Sequence, residues 1–526
     1  MRSLTHRSLV ARDQTAWIIL PSIALFWLLL FATGQPAPFS DDLGYAGAAI
    51  NFATGGNLFN PYLRVTWPGL KMFNIYPPIE PYALGFWLSF WGVSTHRILA
   101  FFLACNVASS LAAWQIIKNL NLSLAYVPVA VLAIADTMLY LGFRVEAFSL
   151  VCLLVGFVFM TGRSSDAQFG VGIFFAAVGS LAAPSFVAAG FLWIVVAVFY
   201  RISAQVDAFS VLRAALIGVV GAGLMLLLAI HFDLKDFVAN FVKQMKWLQS
   251  PDTPPGGPVV PRRASGGPLK IIAAVSLILG TVPVQTRLAS IALLISAVSI
   301  QVRYGRGWEP HLVLCVAFIA AIESIPRQDF RTGLRCALLI WLIVLGLPWI
   351  GYGVHHFRPA RDIAAEQRVR NLVSRYRDAG KTFAVDPISA RNRFDFILPI
   401  TTLDFPGSLV SVANGDQVPR PLTGDQKNEI WIFNTYMLER YPEVLDEAGL
   451  RNMRVAIRNK ISQYDGQTSS RLFEEIPLRL TSFFGFNRYV PLEGSSTVVT
   501  VDLSARTFHI EPEIGFHGPA LDGGWD

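Results

Sequence analysis

Residues 16–33, Ala16-Trp17-Ile18-Ile19-Leu20-Pro21-Ser22-Ile23-Ala24-Leu25-Phe26-Trp27-Leu28-Leu29-Leu30-Phe31-Ala32-Thr33, run without a single charge and follow Arg2, Arg7 and Arg12. Crossing a hydrocarbon core of about 30 Å takes about 20 apolar residues, and shorter runs survive where protein shelters the helix ends. The stretch reads as a first membrane helix. A cleaved secretory signal has the same flanks, but the many apolar runs that follow favour an anchor. Further spans are expected near 98–117, 122–141, 145–162, 168–183, 185–201, 211–230, 269–284, 288–302, 309–325 and 336–354, about eleven crossings with the chain's two ends on opposite sides.

The composition demands such a solvent. Hydrophobic residues make up 53% of the chain and charged residues 15%, with a mean hydropathy of +0.47, outside the range of an ordinary soluble domain. The net charge of +7 does not argue for nucleic acid, because Lys and Arg of a membrane protein gather in cytoplasmic loops. Cys105, Cys152, Cys315 and Cys336 lack the spacing of a zinc site or a disulfide framework and read as small buried hydrophobes.

Alternate connections test the count. An inside set of Arg2, Arg7 and Arg12, Lys118, Arg163, Arg201 and Arg213, Arg287, then Arg327, Arg331 and Arg335 gives every inside connection a cation. The amino terminus is then cytoplasmic. The outside connections are 34–97, 142–144, the turn near Pro184, 231–268 and 303–308. Arg262, Arg263, Arg303 and Arg306 lie outside against the rule, and a ligand phosphate explains them. The apolar helix Pro78 to Trp91, closed by Gly92-Val93-Ser94, is short for a span and is expected along the external surface, packed on the bundle. If it crossed, every later orientation would invert and the cations would fit worse.

After Tyr352 the sequence turns polar and mixed, with β-like runs at Lys381 to Val385, Glu429 to Phe433 and Thr497 to Val501. The expected fold is a polytopic α-helical membrane domain, residues 1–354, followed by an extracytoplasmic α/β domain, residues 355–526. Pro254-Pro255-Gly256-Gly257-Pro258 marks 250–268 as a loop. Trp431, Tyr436 and Phe483-Phe484-Gly485-Phe486 are suited to stacking on sugars, although aromatics of this kind are more often core.

Chemistry concentrates after the first span, at Pro38-Phe39-Ser40-Asp41-Asp42-Leu43-Gly44-Tyr45, then Ala46 to Ala53, Gly55-Gly56 and Tyr76-Pro77-Pro78-Ile79. Adjacent carboxylates repel, and desolvation beside a bilayer strengthens the hold of at least one on its proton, which suits a general base acting on a hydroxyl. The same residues also read as a cap: Ser40 or Asp41 would cap a helix beginning near Asp42, at its positive end.

The wider arrangement resembles the GT-C superfamily of polyprenyl-phosphate-sugar glycosyltransferases, in particular the protein-mannosyltransferase and aminoarabinose-transferase branch. The acidic pair Asp41-Asp42 opens the first external loop, and Tyr45 to Gly56 is similar to the helix and glycine turn that follow. Tyr76-Pro77-Pro78-Ile79 resembles the Pro-Pro element, and Trp91-Gly92-Val93-Ser94 with Arg97 resembles the entry into the second span. Arg144-Val145-Glu146 is similar to a later external Arg-x-acid element. The pattern covers 16–146, and the later spans agree only in topology and length. Two positions depart from it. Asp42 stands where Glu is more frequent, and Tyr76 stands where the aminoarabinose branch has Lys, leaving Lys71, Arg64 or later arginines to hold a donor phosphate.

The resemblance implies a donor sugar joined to a polyprenol through one phosphate, with an envelope glycan, lipid or protein hydroxyl as acceptor, at a bacterial inner membrane. Asp41 would take the acceptor's proton, a contribution of about 10²- to 10⁴-fold. A cation would stabilise the departing polyprenyl phosphate. Arg303, Arg306 and nearby His311 are candidates, with snorkelling to lipid head groups as the alternative reading of the arginines. Arg144 and Glu146 read equally as a structural ion pair at a helix mouth, although charge at a membrane leans functional. Asp136 reads as structural, and His231, Asp233, Lys243 and Lys246 could touch donor or acceptor. An acidic pair holds Mg²⁺ or Mn²⁺ in the oligosaccharyl branch, but such ions need further oxygen ligands, so no metal or other cofactor is expected. A multi-pass transporter or lipid-linked sugar flippase is the alternative, usually built with mid-membrane polar residues and repeated halves. An inactive scaffold in an envelope complex is a third reading.

Overall fold

The computed structural model describes residues 18–31, 42–59, 72, 76–120, 122–141, 145–161, 165–183, 186–203, 207–249, 319, 322, 328–356, 371–376, 378–385, 429–434, 450–461, 498–511 and 521–524. Helices come first: α1 (Ile18–Phe31), α2 (Asp42–Ala53), α3 (Ile79–Trp91), α4 (Thr95–Asn119), α5 (Tyr126–Leu141), α6 (Val145–Thr161), α7 (Asp166–Ala182), α8 (Val187–Ser203), α9 (Ala208–Ala229), α10 (Leu234–Gln249) and α11 (Gln328–His356). Strands β1 (Thr382–Val385) and β2 (Glu429–Asn434), helix α12 (Arg451–Ile461), and strands β3 (Val498–Asp502), β4 (Thr507–Glu511) and β5 (Leu521–Gly524) follow.

The described part of the chain is mostly helical. Within it, His96–Asn119 and Ala208–Ala229 are long and apolar enough to cross a membrane, and Ile18–Phe31, Tyr126–Ala135, Val145–Thr161, Asp166–Ala182 and Gly190–Ser203 are shorter apolar helices. At 1.5 Å per residue a helix of this shorter kind reaches about 25 Å at most, a little under a hydrocarbon core. The expected spans 269–284 and 288–302, and 309–325 apart from Ile319 and Ile322, lie outside the described residues.

Packing follows from small residues on facing helices. A Cβ placed on Gly156 of α6 would stand 2.6 Å from the Gly172 carbonyl oxygen and 2.7 Å from the Ala176 nitrogen of α7. Across the other face of α7, a Cβ on Gly218 of α9 would stand 2.6 Å from the Gly170 carbonyl oxygen. Backbones approach this closely only where side chains are absent or minimal, the usual means of packing apolar helices that hydrophobicity alone cannot drive together. The Trp27 indole of α1 donates to the Ser110 hydroxyl of α4 at 2.8 Å, and α11 packs on α5. The outward faces remain apolar: Leu29, Phe199, Phe209, Ile217 and Leu228 are all exposed. Cys105 and Cys152 are buried as expected, whereas Cys336 is not, because it shares an outward face of α11 with exposed Ile340 and Ile343.

The carboxy-terminal part forms a five-stranded sheet in the order β1-β2-β3-β4-β5, parallel between β1 and β2 and antiparallel elsewhere. Three strands match the expected runs; β4 and β5 were not expected. Leu521-Asp522-Gly523-Gly524 has no strand-forming residue, and its conformation comes from pairing with β4. The β3–β4 turn is held by the Asp502 carboxylate, which accepts from the Ser504 and Ala505 amides at 3.0 Å each and lies 3.8 Å from the Lys381 ammonium. Trp431 is buried in the sheet, in agreement with a core role; Tyr436 and 483–486 lie outside the described residues.

Asp207 caps α9, its carboxylate accepting from the Ser210 amide at 3.0 Å. Bonds from the Ser210 side chain and backbone, in that order, pull its pKa below the ordinary carboxylate value. A lowered folded pKa means that the cap's stabilisation is present above the unfolded value, near pH 4, and is lost as pH falls through the folded one. Asn caps equally well without titrating. The gap in unfolding midpoint between the wild type and Asp207→Asn is therefore expected to shift against the wild type below about pH 4. Parallel melting curves from pH 7 to 3 would count against this.

Candidate functional site

The helix bundle has two chemically different ends. At one, the Asn119 amide of α4 donates to the Val158 carbonyl (3.1 Å) and the Thr161 hydroxyl (3.3 Å) of α6. Arg201 of α8 bonds to Asp166 of α7 at 3.0 Å and lies over the Phe169 ring at 4.7 Å, while Arg335 of α11 lies over Tyr126 of α5 at 4.8 Å. Lys118 lies over Trp114, so Lys118, Arg201 and Arg335, three of the cations expected inside, lie at this end.

The opposite end brings together those parts of the expected site that are described. Helix α2 begins at Asp42, as the cap pattern implied, and closes through Thr54 into Gly55, whose φ of +93° is left-handed. Tyr76 packs with Phe52, Met72 and Tyr82 around a buried cluster of Ala48, Leu58, Val145, Leu153, Ala183 and Phe186. This one cluster joins α2, the Tyr76-Pro77-Pro78 element, the start of α6 and the α7–α8 connection. Gly92 ends α3 at φ +87°, and Ser94 accepts from the Arg97 amide to cap α4, so the glycine-to-arginine link is a tight helix–helix turn. The Trp87 indole donates to the Arg97 carbonyl at 2.9 Å across it.

Of the expected site residues, Tyr76 and Glu146 are described. Tyr76 is half-buried in the cluster, and Glu146 sits buried in the first turn of α6. The backbone of Asp42 is described as the first residue of α2. Its side chain, with Asp41, Lys71, Arg144, Arg303, Arg306 and His311, lies outside the described residues, as does the side chain of Asp136.

The structure adds a carboxylate that the sequence reading passed over. Glu80, in the first turn of α3, is 1% exposed and close enough to Cys105 of α4 to interact with it electrostatically. Glu80 and Glu146 thus both lie buried at helix N-termini, where the helix dipole favours a negative group. An acid between Ile79 and Pro81 in an apolar helix was the available signal, since buried charge is costly and rarely idle. The Tyr82 hydroxyl is 3.0 Å from His231 Nε2, tying α3 to the turn after α9. Burial pushes the Tyr82 phenol up, so it stays protonated across the physiological range. Among the described residues, no group of three or more His, Cys, Asp or Glu side chains could hold a metal ion.

Comparison with protein-family models, with curated proteins and with solved structures finds no match for this chain.

Proposed function

We propose that the chain is a GT-C-like membrane glycosyltransferase, moving a sugar from a polyprenyl-phosphate donor to an acceptor hydroxyl on an envelope glycan, lipid or protein. It crosses the bacterial inner membrane about eleven times within residues 1–354. The amino terminus is cytoplasmic, and the domain 355–526 is extracytoplasmic. The observation that carries this reading is the convergence of α2, Tyr76-Pro77-Pro78 and the Glu146 end of α6 at one end of the bundle, opposite the end that collects Lys118, Arg201 and Arg335. Cation segregation of this kind accords with positive-inside topology, and the exposed apolar faces suit lipid.

In this mechanism Asp41 accepts the acceptor's proton as its oxygen attacks the anomeric carbon. The bond to the donor phosphate breaks, and cations drawn from Lys71, Arg144, Arg303, Arg306 and His311 stabilise the polyprenyl phosphate that leaves. No metal is assigned to the step. Purified protein in proteoliposomes with labelled polyprenyl-phosphate sugar tests the reaction: label should move to an acceptor extracted from the envelope. Mass spectrometry of envelope glycans with and without the protein names sugar and acceptor together.

One observation favours a flippase instead. The Asn106 side chain and the Ser109 hydroxyl of α4 are buried deep within an apolar helix with no hydrogen-bond partner among the described residues, polar groups of the kind a translocation path would place there. The same proteoliposomes separate the readings, because a flippase moves intact donor between leaflets and leaves the acceptor unlabelled. Topology is checked by reporter fusions at Arg163 and at the carboxy terminus, expected on opposite sides. Finding both on one side would overturn the map.

A further inference from the structure

Helix α10 leaves the bundle abruptly. His231 and Phe232 both adopt left-handed backbone conformations, φ +52° and +60°, and Asp233 caps the new helix by accepting from the Asp236 amide at 3.0 Å. The His231 bond to Tyr82 pins this turn to α3. Phe237 is buried and stacks on half-buried Phe241 at 6.0 Å, which seats one edge of α10 on the protein. A second apolar stripe is left uncovered: Leu234, Val238 and Val242, spaced by four, are 51%, 47% and 44% exposed. It continues an exposed apolar line that runs along α9 through Val220, Leu224 and Leu228 and across Phe232.

Charge decides what covers this stripe. Within α10 three lysines, Lys235, Lys243 and Lys246, stand against one acid, Asp236. Eleven residues make just over three whole turns, so Lys246 returns to within about 20° of the angular position of Lys235. That position directly borders the exposed stripe at Val242. A water-facing helix has no use for the stripe, and a protein-facing one would bury lysines along its edge. An apolar face edged by lysines and continuous with a lipid-facing helix is the pattern of an interfacial helix on anionic lipid.

We propose that α10 lies in the head-group layer, seating Leu234, Val238 and Val242 at the acyl boundary, with Lys235, Lys243 and Lys246 drawing anionic phospholipid phosphates. The proposal rests on the membrane reading but not on sugar transfer. A nitroxide placed by Val238→Cys, in the full chain with Cys105, Cys152, Cys315 and Cys336 replaced by alanine, reports depth in nanodiscs of phosphatidylcholine alone or with phosphatidylglycerol. Oxygen should reach the label better than a polar nickel chelate, at a depth of about 5–10 Å. Phosphatidylglycerol should deepen it, and Lys235→Gln with Lys243→Gln and Lys246→Gln should erase that response. A control label at Val220→Cys should read hydrocarbon throughout. A Val220 label in water overturns the membrane reading and this proposal together; a Val220 label in hydrocarbon with Val238 in water, or indifferent to phosphatidylglycerol, overturns the proposal alone. Native mass spectrometry of the chain with its own cysteines gives an independent readout. Retained phosphatidylglycerol should fall in the triple glutamine variant, and unchanged retention would contradict the proposal.

Discussion

Asp41→Asn is expected to leave the protein folded and expressed while sugar transfer from labelled polyprenyl phosphate falls by about 10²- to 10⁴-fold. The substitution separates the two readings of the acidic pair. In the capping reading Ser40 or Asp41 caps the helix that starts at Asp42, and asparagine caps as well as aspartate. A capping role therefore predicts unchanged stability and unchanged transfer. A base role predicts unchanged stability and lost transfer, because a carboxamide keeps the shape of the carboxylate but cannot take a proton near neutral pH. Thermal unfolding and transfer are measured on the same preparation. Transfer at the wild-type rate would remove Asp41 as the base.

The second large effect is on packing. Gly156→Ala adds one methyl group against the Gly172 carbonyl oxygen at 2.6 Å and the Ala176 nitrogen at 2.7 Å, closer than real Cβ contacts allow. The obstacles are backbone atoms, so a rotamer change gives no relief and α6 must move off α7. Overpacking of this kind costs about 1–3 kcal/mol. Gly223→Ala in α9 makes the same chemical change where nothing lies within 4 Å, and it replaces a poor helix former with the best one. In one detergent, Gly156→Ala should melt several degrees below the wild type and Gly223→Ala at or above it. Equal midpoints for the two variants would mean that the α6–α7 seam is not the close contact described. The Gly156 variant should also lose transfer, since α6 carries Glu146 and α7 leads to Phe186 of the site cluster.

Much of the helical architecture was legible because its signal is local. The apolar runs at 98–117, 145–162, 168–183 and 211–230 became α4, α6, α7 and α9 with ends shifted by a few residues. Gly55 and Gly92 were legible as turns because their backbones are left-handed, which glycine adopts without strain. Glu80 was missed because an acid in the first turn of a short helix normally enjoys the helix dipole in water; its apolar surroundings hinted at burial, but only the packing shows that this helix end lies beside α4. Asn106 and Ser109 escaped for the same reason: a polar residue in an apolar helix has a meaning only once its neighbours are known. Strand β5 was illegible because all of its strand character is borrowed from β4.

From the sequence alone came the apolar helices, their polar connections, the acidic start of α2 and the alternation of cations between successive connections. These depend on transfer from water and on backbone conformation, which each short segment carries within itself. Tertiary structure alone decided which ends meet. It placed Tyr76 among residues of α2, α6 and the α7–α8 connection, buried Glu80, and joined Tyr82 to His231 across 149 positions of chain. Side-chain contacts over such separations depend on the crossing of packed helices, and those crossings follow from where glycine and alanine on one helix happen to face glycine and alanine on another.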